Sequence, residues 1–125
     1  MSWRVNGTPA GPDDRTQILG VQGELDLATS DSLYRRGRAA IGRHPRLLLL
    51  DLTGLSFCDA SGLSAFVRIA NEAEAVGCGY GLIAPRPLVA KVLRITGLHQ
   101  RLQVFATSDE ARLRLTALAA TARSR

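Results

Sequence analysis

Apolar and polar positions alternate loosely over residues 16–25 (Thr-Gln-Ile-Leu-Gly-Val-Gln-Gly-Glu-Leu), through Ile18 and Val21, and this predicts a strand of a half-exposed sheet. Gly23 is expected to kink or end it. Ahead of it, Trp3 to Val5 reads as a short first strand and Gly7 to Asp14, rich in glycine and proline, as a loop. Thr29, Ser30, Asp31 and Ser32 offer N-caps for a helix running to about Ile41, with Leu33, Tyr34, Ala40 and Ile41 on its apolar side and Gly42 and Pro45 stopping it. Arg46 to Leu52 is a short apolar run without alternation, the pattern of a strand covered on both faces. After an expected turn at Thr53-Gly54, a helical pattern starts at Ser61 or Gly62 (Leu63, Phe66, Val67, Ala70, Ala73) and ends near Gly77. A strand over 80–84 follows. Pro87 then opens a helix closed by Gly97, with Leu88, Val92 and Ile95 expected to face inward. Residues 103–106 predict a last strand, and Ser108 caps a terminal helix carrying Asp109 and Glu110 in its first turn. Strands alternating with helices predict an α/β fold with a mixed sheet.

Composition narrows what such a fold can do. With 125 residues, 46% hydrophobic and 22% charged, the chain supports one domain with one core and has no room for a large multidomain enzyme. Its longest apolar run, Leu47 to Leu50, is too short to span a bilayer, and Met1 to Arg4 lacks the stretch of a signal peptide, so a cytoplasmic protein without stable membrane insertion is expected. A formal charge of +5 raises nucleic-acid binding as a possibility. The arginines, however, spread over helices (Arg35, Arg36, Arg38, Arg112, Arg114) and tail, no base-reading motif accompanies them, and aromatics are only 5% of the chain, so no nucleic-acid partner is expected.

Catalytic chemistry finds no motif. Asp59 stands where a nucleophile elbow at Ser61 needs glycine, and neither phosphate-binding nor dinucleotide-binding glycine patterns occur. His44 and His99 read as helix-end residues. Two cysteines and two histidines are too few and scattered for a metal site. Cys58 and Cys78 flank one helix of about 16 residues, some 24 Å long, so they cannot pair; Cys58 is expected to be a buried small side chain.

The run Cys58-Asp59-Ala60-Ser61-Gly62 stands where a buried strand ends and a helix begins. Unpaired amides and the positive end of the helix dipole favour an anion there. A hydroxyl at this spot could carry phosphate, about −1.5 to −2 in charge. The plainer alternative is that Ser61 caps the helix and Asp59 bonds loop amides.

Four segments together, Gly23-Glu24-Leu25-Asp26, Leu47 to Leu52, Phe57 to Leu63 and Ile95-Thr96-Gly97-Leu98, resemble a STAS domain, the family that includes bacterial anti-sigma factor antagonists. The resemblance implies a single domain over residues 16–118, a mixed sheet of four to five strands flanked by about four helices, with residues 1–15 as N-terminal strand and loop and 119–125 as a basic tail. It implies a non-enzymatic monomer or weak dimer without cofactor or metal. Its partner would be an anti-sigma factor with a kinase-type ATP-binding domain, whose sequestration frees a sigma factor. A scaffold or accessory subunit of a regulatory or membrane transport complex is the alternative. Glu24, Asp26, Asp59, Ser61 and Gly62 would meet the partner, unless Asp26 and the Thr29 to Ser32 cluster merely cap the first helix. In antagonists switched by a partner kinase, the phosphorylated residue directly follows the aspartate, and here that position is Ala60. Either Ser61 takes the phosphate instead, or binding is constitutive.

Overall fold

The computed structural model describes residues 3–9 and 15–123. Along the chain run β1 (Trp3–Pro9), β2 (Thr16–Leu25), α1 (Leu27–Ile41), β3 (Leu47–Cys58), α2 (Ala60–Ala75), β4 (Gly79–Ile83), α3 (Pro87–Ile95), α4 (Leu98–Leu102), β5 (Val104–Phe105) and α5 (Ser108–Arg123). The strands form one sheet in chain order, β1 antiparallel to β2 and every other pair parallel. This is the mixed α/β sheet that the alternation of elements predicts. Strand β1 is longer than expected: Gly7, Thr8 and Pro9 pair with β2 rather than loop, while residues 10–14 lie outside the described residues.

The unalternating leucines of β3 serve two cores. Leu48, Leu50 and Leu52 pack with Leu33, Phe66 and Ile69 of α1 and α2 and with Val89, Leu93 and Leu102 of α3 and α4. Leu47 and Leu49 face the other way, against Ile83, Phe105 and the α5 residues Ala111 and Leu115. Four helices therefore cover one face and α5 the other. Each buried leucine removes most of its side chain from water, worth about 1.5–3 kcal/mol.

Beyond Leu52 the expected turn at Thr53-Gly54 does not form. Strand β4 stops at Ile83 opposite Asp51, but β2 continues beside β3, pairing Gln22 with Gly54, Glu24 with Phe57 and Leu25 with Cys58. Two register shifts, between Gly20 and Gln22 and between Gly23 and Glu24, make this possible, the second at Gly23, whose φ of +89° is one that glycine alone adopts at little cost. Gly23 kinks the strand without ending it. Together with β1, whose Trp3 pairs with Gly23, the two paired strands thus project past β4 and β5.

Three further expectations need correction. Helix α3 turns Val89 and Leu93 inward, leaving Leu88 54% and Ile95 73% exposed and Val92 half-buried. Six of its nine residues are apolar, so two stripes compete for the sheet, and the stripe at Leu88, Val92 and Ile95 is the one left outside. A short helix, α4, follows Gly97 (φ +78°) where none was expected, shortening the last strand to Val104–Phe105. Thr107, not Ser108, caps α5: its Oγ1 accepts from the Glu110 N–H at 3.1 Å. The basic C-terminal stretch is helical through Arg123. Among the described residues no helix is long and apolar enough to cross a membrane.

Candidate functional site

Because β2 and β3 are parallel and end together at Leu25 and Cys58, the residues that follow, Asp26 and Asp59, stand side by side. The Asp59 N–H donates to the Leu25 carbonyl at 3.1 Å and holds the two chain turns together. Each aspartate has extended backbone and caps the helix after it. Asp26 Oδ1 accepts from the Ala28 and Thr29 N–H groups at 3.0 and 3.1 Å, and the Thr29 hydroxyl oxygen accepts from the Asp26 N–H at 3.0 Å, a reciprocal box. Asp59 Oδ1 accepts from the N–H groups of Ser61 and Gly62 at 2.9 and 3.1 Å and from the Ser61 hydroxyl at 2.5 Å. Two helix N-termini, each with a carboxylate on its free amides, therefore open on one end of the sheet.

The helix starts differ from the expected ones. Asp26 is the N-cap of α1 with Thr29 as its capping-box partner, the capping alternative that the sequence leaves open for these residues, whereas Asp59 rather than Ser61 caps α2. Ala60 is the first residue of α2 and is exposed; Ser61 is second and half-buried; Gly62 is third and buried. A Cβ on Gly62 would lie 2.8 Å from Cys58 Sγ and 2.9 Å from Leu25 Cβ, so glycine lets the α2 start close on both strand ends. Glu24 is exposed within β2, opposite Phe57. Asp26, Asp59, Ser61 and Gly62 come together at this end. Ser30, for which the sequence suggests only a capping role, belongs with them: it is 5% exposed, donates to the Asp26 carbonyl at 2.6 Å and meets Ser61 Oγ at 3.4 Å, joining the two helix starts. Aspartate followed three residues later by threonine, at 26 and 29, is the signal in the sequence that places this cap.

Ionisation follows from these contacts. The Ser61 hydroxyl first, and then the Gly62 N–H, hold the Asp59 carboxyl below the usual carboxylate range. Burial, reinforced by the Asp59 charge, pushes the Cys58 thiol up to about 12, and burial pushes Cys78 to about 11. Both cysteines are free and buried. A carboxylate so stabilised is a poor base for Ser61. His44 sits after α1, where its carbonyl accepts from Arg15, and His99 lies in α4. Among the described residues no three histidine, cysteine or acidic side chains form a metal-binding group. The arrangement offers a capped surface on which Ala60, exposed directly after Asp59, carries neither charge nor hydroxyl.

Comparison with known proteins agrees with this geometry. The chain is 32% identical over 84 residues to an anti-sigma F factor antagonist of Lysinibacillus sphaericus, covering 66% of this chain and 72% of that one. An anti-sigma factor antagonist of Mycobacterium paratuberculosis, known from its crystal structure, superposes with a TM-score of 0.76 at 25% identity, over 92% of this chain and 95% of that one. The Bacillus cell fate determinant SpoIIAA in its phosphorylated form superposes with a TM-score of 0.66 at 26% identity, over 89% and 98%. Residues 12–111 match the STAS domain. With that match over most of its length, on a sheet and two capped helix starts of this form, the chain belongs to the STAS domain family, with anti-sigma factor antagonists among its relatives.

Proposed function

We propose that this protein is an anti-sigma factor antagonist that binds an anti-sigma factor of the ATP-binding kinase type and so frees a sigma factor, and that its binding is not switched by phosphorylation. The observation that carries the reading is the paired caps at the ends of β2 and β3, with exposed Ala60 between the Asp59 cap and the body of α2. The docking surface comprises Glu24, Asp26, Asp59 and Ser61 together with Ala60, while Gly62, buried, contributes by letting the start of α2 close on the strand ends. In kinase-switched relatives the residue after the aspartate accepts phosphate; alanine has no acceptor oxygen. Ser61, the nearest hydroxyl, is half-buried and donates to Asp59. A phosphate there would lose that bond and bring about −1.5 to −2 of charge against the carboxylate. The relatives named anti-sigma factor antagonists support the choice of partner class.

The test is calorimetric titration of the chain with kinase-type anti-sigma factors from the same cell, followed by incubation with ATP and mass spectrometry. Binding is expected without and with ATP, with no added phosphate on the wild-type chain. Ala60→Ser is expected to become phosphorylated and to release the partner. A phosphopeptide from the wild-type chain that disappears in Ser61→Ala would refute constitutive binding, and recovery of a transporter subunit with no anti-sigma factor bound would refute the partner class.

A further inference from the structure

The apolar stripe that α3 leaves outside has a charged border. Leu88, Val92 and Ile95 follow one another at i, i+4 and i+7, within one narrow arc of the helix. Lys91 lies beside that arc and Arg94 one step beyond, both on the side away from the buried Val89 and Leu93. No acid occurs between Glu74 and Asp109, a stretch that also contains Arg86 and Arg101. Several bases of the other helices are engaged: Arg35 with Asp31 at 2.9 Å, Arg38 with Glu72 at 3.7 Å, Arg101 with Glu74 at 3.3 Å, and Arg68 over the Tyr34 ring at 3.8 Å. Lys91 and Arg94 form no ion pair among the described residues, and both are exposed. The helix is fixed against the projecting end of β3, with Arg86 Nε donating to the Thr53 carbonyl at 3.0 Å, so the stripe is presented on a rigid support.

From this charge pattern we infer that α3 is a second docking surface, shaped for an acidic amphipathic helix of a protein partner. Three aliphatic side chains at i, i+4 and i+7 match the apolar stripe of one facing helix, and the cationic border on one side only fixes which side of that helix must be acidic. A second copy of this chain would bring like charges together. A membrane surface fits less well, because the stripe has no tryptophan, tyrosine or phenylalanine. The inference does not depend on which protein docks at the paired aspartate caps.

The probe is a fluorescein-labelled peptide of about eighteen residues, five turns, with leucines at i, i+3, i+4 and i+7 and glutamates along one border, set against a scramble of the same composition. Fluorescence anisotropy with the full chain is expected to show the amphipathic peptide binding at least about tenfold tighter than the scramble, a difference of about 1.4 kcal/mol. Leu88→Asp and Ile95→Asp are each expected to weaken it by about tenfold with unchanged melting temperature, since both side chains are exposed. Lys91→Glu combined with Arg94→Glu is expected to do the same and to flatten the salt dependence, whereas Arg35→Glu combined with Arg36→Glu on α1 is not. Equal binding of peptide and scramble, or binding indifferent to Leu88 and Ile95, would overturn the inference. So would sedimentation with phosphatidylserine vesicles that Leu88→Asp abolishes while the peptide stays unbound, or self-association abolished by the same change.

Discussion

Replacing Gly62 by alanine tests whether the close approach of α2 to the strand ends is required. The added methyl would lie 2.8 Å from Cys58 Sγ and 2.9 Å from Leu25 Cβ, both inside any real carbon contact. Leu25 Cβ is fixed to its backbone and cannot swing aside, so the α2 start must retreat. Retreat stretches the bonds that Asp59 makes to Ser61 and Gly62 and the Asp59 N–H bond to Leu25. Overpacking of this kind costs about 1–3 kcal/mol, and the better helix propensity of alanine returns up to ~1 kcal/mol. The net loss is about 1 kcal/mol, or roughly 3–5 °C in melting temperature for a domain of this size. Urea unfolding of wild type, Gly62→Ala, Cys58→Ala and the double variant forms a cycle whose coupling should reach at least ~0.5 kcal/mol, because removing the sulfur relieves one of the two contacts. A Gly62→Ala protein as stable as wild type, or no coupling to Cys58, would refute the reasoning.

Asp59→Asn keeps the shape of the cap and removes its ionisation. Since the folded-state pKa of Asp59 lies below its unfolded value, its charge stabilises the fold above the unfolded pKa, and that contribution is lost as pH falls through the folded one; thermal melts from pH 7 to pH 2 should show a shallower acid limb in the variant. Asp26→Ala removes the reciprocal box of α1 and should cost about 1–2 kcal/mol by urea unfolding. At pH 8 the thiols of Cys58 and Cys78, raised to about 12 and about 11, should resist iodoacetamide in the folded chain and react in urea, as intact mass would show.

The central strand was legible because burial on both faces removes alternation, and Leu47 to Leu50 carries that pattern on its surface. Where β3 ends was not legible, because the extension to Cys58 depends on two register shifts in a strand more than twenty residues earlier. In α3 the difficulty was degeneracy: Val89 with Leu93, and Leu88 with Val92 and Ile95, are both valid helical stripes, and only the position of Leu102 and the β3 leucines selects the first. The segment Asp59 to Gly62 stood out as a strand-to-helix junction. Its coupling to Ser30 was hidden, since that contact exists only because two parallel strands end at the same level.

That shared level also bears on why the residue at position 60 suits a charge-operated contact. The free amides at the α2 start are already taken by Asp59, through Ser61 and Gly62. Charge added at the exposed first helical position therefore does not find the Ser61 and Gly62 N–H groups free and projects toward whatever docks there. An acid at that position gains about 0.3–1 kcal/mol through the dipole, offset in part by the neighbouring Asp59 carboxylate. Ala60→Glu should consequently leave the melting temperature nearly unchanged while weakening the proposed anti-sigma factor contact by about tenfold or more, ~1.4 kcal/mol. Affinity falling while stability holds would separate a docking role for this face from a purely structural one; a parallel fall in both would show that the two caps do no more than hold the fold.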